Sequence, residues 1–275
     1  MRIAVHQMTS GIDLERNVSD MADAIVMSAK EGAIMYFAPE MSIIVDRDRS
    51  RARPQLAFES QTPAIGALSA LASRLDIWLH LGSIPVLHEN GQKLANRTLI
   101  IGPDGAIRAR YDKMHLFDVS LATGEAWRES SAYIAGESPV LVETPLGLMG
   151  LAICYDMRFP DLFSAYAKSD VAAITLPSAF TVPTGEAHWH TVLRARAIES
   201  EAFVIAAAQC GQHEDGRQTF GHSLVVDPWG EVILDMGTSP GLQCVDLDLS
   251  KIDAVRQQIP VHANRRPVPP PFIAG

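Results

Sequence analysis

Residues 148–160, Leu148-Met149-Gly150-Leu151-Ala152-Ile153-Cys154-Tyr155-Asp156-Met157-Arg158-Phe159-Pro160, form an apolar run that stops at a single cysteine followed by polar residues. A strand buried on both faces reads as such a run, and its end delivers the next side chain to the carboxyl edge of the sheet. Beyond it, Phe159-Pro160-Asp161-Leu162 opens an amphipathic segment. Pro160 suits a first helical position, and Asp161 suits the positive end of a helix dipole. Cys154 is therefore expected on a strand-to-helix turn. In such a turn the Tyr155 N–H need not join any ladder and can face a developing negative charge. Taken alone, a cysteine that ends a core strand is ordinary packing. Its meaning depends on what meets it.

Upstream, Ile3–Met8 reads as a strand, and Leu14, Val18, Met21 and Ile25 recur at helical spacing. A second apolar run, Ala33–Ala38, ends in Pro39-Glu40. Ile65, Leu68, Leu71 and Leu75 mark another helix, followed by a strand over Ile77–Ile84 in which His80 is expected as a satisfied core histidine. Asn96–Ile101 and Ala106–Tyr111 flank the turn Gly102-Pro103-Asp104-Gly105, and the second arm leads straight to Lys113. The charge-alternating segment Asp46–Arg53 reads as a solvated loop. Residues 119–138 lack a period and read as a long loop covering a site.

Downstream of Cys154, a strand over Val171–Leu176, a helix over Ala187–Ala202 and a strand over Phe203–Ala208 repeat the β-α-β order. A hairpin then turns at Asp227-Pro228-Trp229-Gly230, Leu242–Leu249 reads as a strand, and a short helix begins at Ser250. Two β-α-β-α-β passages joined by hairpins predict two mixed sheets with helices outside, a four-layer αββα sandwich. One domain is expected over residues 1–266. The Pro-rich end, residues 267–275, is expected to be a tail.

Composition excludes several classes of function. The chain has 275 residues, a net charge of −9 and few clusters of Lys and Arg, which argues against a basic stripe for nucleic acid or an anionic membrane. Cys154, Cys210 and Cys244 are odd in number and lack a C-x-x-C pair, which argues against a disulfide framework or a thiolate zinc site. No window reaches the length of a membrane span, and the chain runs directly from Met1 into strand-like sequence. The expected location is cytoplasmic. His188-Trp189-His190 is not a metal motif, because i,i+2 residues on a helix do not share a face.

Glu40, Lys113 and Cys154 each lie just past an apolar run, so a packed α/β core could bring all three to one edge. That trio has a chemical use. A carboxylate can take the thiol proton, and a fixed ammonium can hold the oxyanion formed when sulfur attacks a carbonyl.

Phe37-Ala38-Pro39-Glu40, Tyr111-Asp112-Lys113-Met114-His115-Leu116-Phe117-Asp118 and Ile153–Pro160 resemble, in the same order, the three signature regions of the nitrilase superfamily of carbon-nitrogen hydrolases. Pro177-Ser178-Ala179-Phe180, Thr184–Trp189, Arg194–Ala197, Gly221-His222-Ser223 and Asp227–Gly230 extend the likeness over nearly the whole chain. The resemblance implies the αββα fold and a triad of Glu40 as base, Lys113 as oxyanion partner and Cys154 as nucleophile. It also implies a second glutamate that orients Lys113 and the substrate, for which Glu129 fits better than Glu125. Cys-Tyr-Asp is similar to the amidase members of the superfamily. Asp112 departs from the basic or neutral residue common before the lysine.

The likeness is greatest to the Nit group, which includes omega-amidases and deaminated glutathione amidases. Ala206–His213 with Arg217 looks more like the latter. What the resemblance implies is therefore hydrolysis of a small amide through a thioester, with deaminated glutathione preferred to 2-oxoglutaramate, no metal or cofactor, and a homodimer. A catalytically silent binding scaffold is the alternative of another class, and the intact trio weighs against it.

Overall fold

The computed structural model describes residues 1–120, 124 and 126–273. The first half runs β1 (Arg2–Gln7), α1 (Leu14–Lys30), β2 (Met35–Phe37), α2 (Arg49–Ala52), α3 (Pro63–Leu75), β3 (Trp78–His80), β4 (Ile84–Leu87), β5 (Leu94–Ile101), β6 (Ile107–Asp112), β7 (Asp118–Ser120) and β8 (Ala126–Arg128). The second half runs β9 (Leu141–Thr144), β10 (Gly147–Leu151), α4 (Pro160–Ala167), β11 (Ala173–Thr175), α5 (Val182–Ser200), β12 (Phe203–Ala206), β13 (Cys210–Gln212), β14 (Gln218–Phe220), β15 (Leu224–Val226), β16 (Val232–Asp235), β17 (Gly241–Asp246), α6 (Ser250–Gln258) and α7 (Val261–Asn264).

Both large sheets are mixed, as expected. The first has the order β17-β1-β2-β3-β5-β4, with β6 paired to β5, and its β1, β2 and β3 are parallel. The second has the order β16-β15-β12-β11-β10-β9, and its β10, β11 and β12 are parallel. Each parallel triple is a β-α-β-α-β passage read in the sequence. The period-2 rule sorts their side chains. Ile3, Val5, Met35 and Phe37 enter the core shared with the second sheet, whereas Ala4 and Tyr36 enter a separate core beneath α1 and α3. Helices α4 and α5 supply Phe163, Tyr166, Trp189 and Leu193 to the second sheet's side. Four layers result. His80 bridges the two sheets, its Nε2 2.9 Å from Thr175 Oγ1, and so is the satisfied core histidine expected.

Four expectations need correction. The strand read over Ile77–Ile84 breaks into β3 and β4, because Gly82 turns the chain with φ +67° and packs against the Pro39 carbonyl, where a Cβ would lie 1.8 Å from the oxygen. Helix α5 begins at Val182, five residues before the expected start; Pro183 fits its first turn, and Gly185 makes room for the Phe220 ring. Residues 119–138 contain a small hairpin, β7–β8, whose three-residue strands are too short to show a period. Segment Asp46–Arg53 includes the short helix α2, capped by Asp48, and Asp46, Arg47, Arg49 and Arg53 line a cleft. Among the described residues no helix is long and apolar enough to cross a membrane.

Candidate active site

Glu40 follows β2, Lys113 follows β6 and Cys154 follows β10, and all three side chains converge where the strands end, at the base of one cleft of about 790 Å³. They are 4%, 2% and 8% exposed. Lys113 Nζ donates to Glu40 Oε1 at 2.9 Å and to Glu129 Oε2 at 3.0 Å. The Ala179 N–H donates to Glu40 Oε2 at 2.9 Å. Burying three charges together is tolerable because the ammonium sits between the two carboxylates and every carboxylate oxygen has a donor. Glu129 completes its set with the Phe117 N–H at 2.6 Å, so the β7–β8 region closes over the ammonium.

Cys154 takes the left-handed conformation with φ +48° and donates its N–H to the Pro177 carbonyl at 3.0 Å. For a residue other than glycine that backbone is uncommon and concentrates at functional turns. A short 3-10 turn over Cys154–Arg158 follows, and then α4 with Pro160 in its first turn. The Tyr155 ring packs edge-on to Phe117 and Phe159, lining the cleft, and no acceptor among the described residues takes its N–H.

The electrostatics assign resting protonation states. Burial first, and then the Glu40 carboxylate, push the Cys154 thiol well above the ordinary cysteine range, while Lys113 and the Ala179 N–H pull less strongly the other way. Burial works against the Lys113 ammonium, yet Glu129 and Glu40 outweigh it and hold its pKa well above the usual value. Both directions favour a protonated thiol and a charged ammonium at neutral pH.

Three contributors were not singled out from the sequence. Asn96 donates from Nδ2 to Glu40 Oε1 at 2.9 Å and to Glu129 Oε1 at 3.2 Å, holding the two carboxylates at a fixed separation. Asp156, fully buried, accepts from the Tyr111 hydroxyl, from Ile153 N and from His115 N. Ala179 supplies the backbone donor to Glu40. Only the Cys-Tyr-Asp and Pro-Ser-Ala-Phe strings hinted at the last two, and nothing distinguished Asn96 from a polar strand residue.

Asp112, the departure noted above, points away from the triad. Arg97 grips it with Nε at 2.6 Å and Nη2 at 2.8 Å, so its charge is spent in a half-buried ion pair. Arg158 and Arg196 do not line the cleft: Arg196 bonds the Met157 carbonyl and Glu199, and Arg158 lies over the Phe180 ring. The cleft instead carries Arg47, Arg49, Arg53, Arg128 and Arg217. Glu125, the alternative second glutamate, lies outside the described residues.

Comparison with known proteins settles the family. The family described as carbon-nitrogen hydrolase matches residues 2–257. The deaminated glutathione amidase of Bos taurus is 41% identical over 274 residues, covering 96% of this chain and 82% of that one. The chain belongs to the carbon-nitrogen hydrolase family. This carbon-nitrogen hydrolase is thus an amide-hydrolysing enzyme. It also superposes on the C. elegans NitFhit protein with a TM-score of 0.87 and 38% identity, covering 96% of this chain but only 65% of that longer one. An amidase from Nesterenkonia sp. AN1, with acrylamide added to its active-site cysteine, matches with a TM-score of 0.78 and 26% identity over 96% of this chain and 99% of that one.

Proposed function

We propose that the enzyme hydrolyses deaminated glutathione, releasing 2-oxoglutarate and cysteinylglycine, with Glu40 as base, Lys113 as oxyanion partner and Cys154 as nucleophile. The observation that carries this is the Glu40 carboxylate, held between the Lys113 ammonium and the Ala179 N–H at the cleft base beside Cys154. A base fixed at both oxygens can move a proton without leaving its place.

In the first half-reaction Cys154 Sγ attacks the amide carbon as its proton passes to Glu40. The carbonyl oxygen becomes an oxyanion that Lys113 Nζ and the Tyr155 N–H receive. Collapse breaks the C–N bond, and Glu40 returns the proton to the leaving amine. In the second half-reaction Glu40 takes a proton from water, whose oxygen attacks the thioester; collapse expels sulfur, and the thiol regains its proton. Glu129 holds the ammonium in position and faces the substrate. Removing one oxyanion donor typically costs about 2.7–4 kcal/mol of transition-state stabilisation.

The choice of substrate rests on the relatives' names, on the size of the cleft and on its arginines. Arg49 bonds Ser131 Oγ and the Arg128 carbonyl, and Arg53 bonds the carbonyls of Gly91 and Gln92, so neither cation has a carboxylate partner among the described residues. A substrate with carboxylates at both ends fits such a mouth. The test compares kcat/KM of the purified enzyme for deaminated glutathione and for 2-oxoglutaramate, together with the mass of the acyl adduct trapped in a single turnover. Preference for deaminated glutathione with the adduct on Cys154 is expected. Preference for 2-oxoglutaramate overturns the substrate, and an adduct on Cys210 overturns the nucleophile.

We further propose a homodimer and a cytoplasmic location. Ile198 on α5 is 48% exposed beside Trp229, 54% exposed, in the turn that touches it, which supports pairing through this face. A light-scattering mass near 29.9 kDa at micromolar concentration would count against the dimer. Three unpaired cysteines support a reducing compartment; recovery of the tagged native chain outside the cytosolic fraction would count against it.

A further inference from the structure

We propose that His190, His222 and Asp235 form a binding site for a first-row divalent metal ion of the zinc class, separate from the amide site. Their ligand atoms come from three elements: α5, the loop between β14 and β15, and the end of β16. All lie within 4.8 Å of one another. His190 Nε2 is 2.9 Å from Asp235 Oδ2, and His222 Nδ1 is 2.9 Å from Asp235 Oδ1. None of the three lines the catalytic cleft. A zinc ion takes imidazole nitrogen and carboxylate oxygen at about 2.0–2.2 Å, which places tetrahedral ligands about 3.3 Å apart. Asp235 Oδ2 already lies 2.9 Å from His190 Nε2 and 3.2 Å from His222 Nδ1, and the two imidazole nitrogens, no more than 4.8 Å apart, would close by at most about 1.5 Å.

The three groups are held ready rather than adjacent by chance. The His222 ring stacks on Phe220 at 4.5 Å, and His190 meets the edge of the same ring at 6.3 Å. His222 has φ +54°, an uncommon conformation for a residue other than glycine, fixed by its N–H to the Gly237 carbonyl and by the Trp189 indole donating to its own carbonyl. Asp235 is oriented further by the Gly237 N–H at 2.9 Å. In a neutral imidazole, moving the proton to the opposite ring nitrogen frees the lone pair facing Asp235, so metal entry requires no net loss of protons from the rings. Two imidazoles and one carboxylate leave a position for water and suit zinc, cobalt or nickel better than calcium or magnesium. Bound there, the ion would clamp α5 to β16, the edge strand of the second sheet.

His188, by contrast, faces Arg158, so the objection to a His188/His190 pair stands. The partners of His190 are simply distant in the chain.

The test titrates Zn²⁺ and Co²⁺ into the chelator-stripped full-length enzyme and into Cys154→Ser, which removes the active-site thiol as a competing ligand. One equivalent should bind in both, raising Tm, and Co²⁺ should give visible d–d absorption without a thiolate charge-transfer band. Asp235→Asn and His222→Gln should weaken binding at least about 10-fold and abolish the Tm rise. Absence of saturable binding, binding lost in Cys154→Ser, or binding unchanged in Asp235→Asn would overturn the site. Should His222→Gln fail to fold, Asp235→Asn and the wild-type Co²⁺ spectrum still decide.

Discussion

The Tyr111 phenol donates to Asp156 Oδ2 at 2.7 Å, and this contact joins the strand that leads into Lys113 to the turn that presents Cys154. Tyr111 lies near the end of the first sheet's β6, and Asp156 lies two residues past Cys154. Replacing Tyr111 with Phe keeps the packed ring but deletes a buried hydrogen bond to an anion, a loss of about 1.5–3 kcal/mol. The expected outcome is a Tm several degrees lower and a kcat reduced more than KM is changed. Steady-state kinetics and a thermal melt on the same preparation check it.

Glu40→Gln should separate catalysis from stability. Glutamine keeps the shape of the site while Lys113 retains Glu129, but its amide NH2 must face a donor that Glu40 accepted from, so Tm should fall by only a few degrees; loss of the proposed base should lower kcat by about 10²–10⁴. Lys113→Met should do both harms. It leaves Glu40 and Glu129 buried without their cation, which costs about 3–5 kcal/mol of stability. Retention of a tenth of wild-type kcat by Glu40→Gln would remove Glu40 from the mechanism.

His80 makes the fold acid-sensitive. Burial between the sheets holds its pKa down at about 3, below the ordinary 6.5, so the unfolded chain takes up a proton that the folded one resists. Its contribution is complete above about pH 6.5 and is lost as pH falls towards 3. By the size of the shift this amounts to several kcal/mol. Denaturant midpoints from pH 7 to pH 4 should fall less steeply in His80→Gln than in the wild type; parallel curves would refute the assignment.

Arg49→Ala and Arg53→Ala test the cleft mouth. Each deletes a cation that has no carboxylate partner among the described residues, so folding should be little affected while KM for a dianionic amide rises about 10-fold or more. An uncharged amide of similar size should show no such rise. Equal effects on both amides would make the arginines structural.

We propose that the folded domain ends at Arg266. Arg265 still anchors to Ser164 through Nη1, at 3.0 Å to Oγ, whereas Val268, Phe272 and Ile273 are almost wholly exposed. Deleting residues 267–275 should leave Tm within a degree or two and activity unchanged. A larger loss would mean that the Pro-rich end packs on something essential.

What could be read from the chain alone was the part written in local pattern. Apolar runs that end abruptly marked the places of the parallel strands, and Glu40 and Cys154 stood out because each follows such a run, whereas Lys113 stood out at the end of a hairpin arm; the four layers follow from two β-α-β-α-β passages. Short elements escaped, since three residues of β7 or β8 carry no period, and so did the break at Gly82, which exists because the Pro39 carbonyl lies against it. Only the tertiary structure decided that Asn96 spans Glu40 and Glu129, that Asp112 is neutralised by Arg97, and that His190 meets His222 and Asp235. These are contacts between side chains distant in sequence. Their energies depend on burial and on separations of about 3 Å, which backbone pairing sets and which no local spacing encodes.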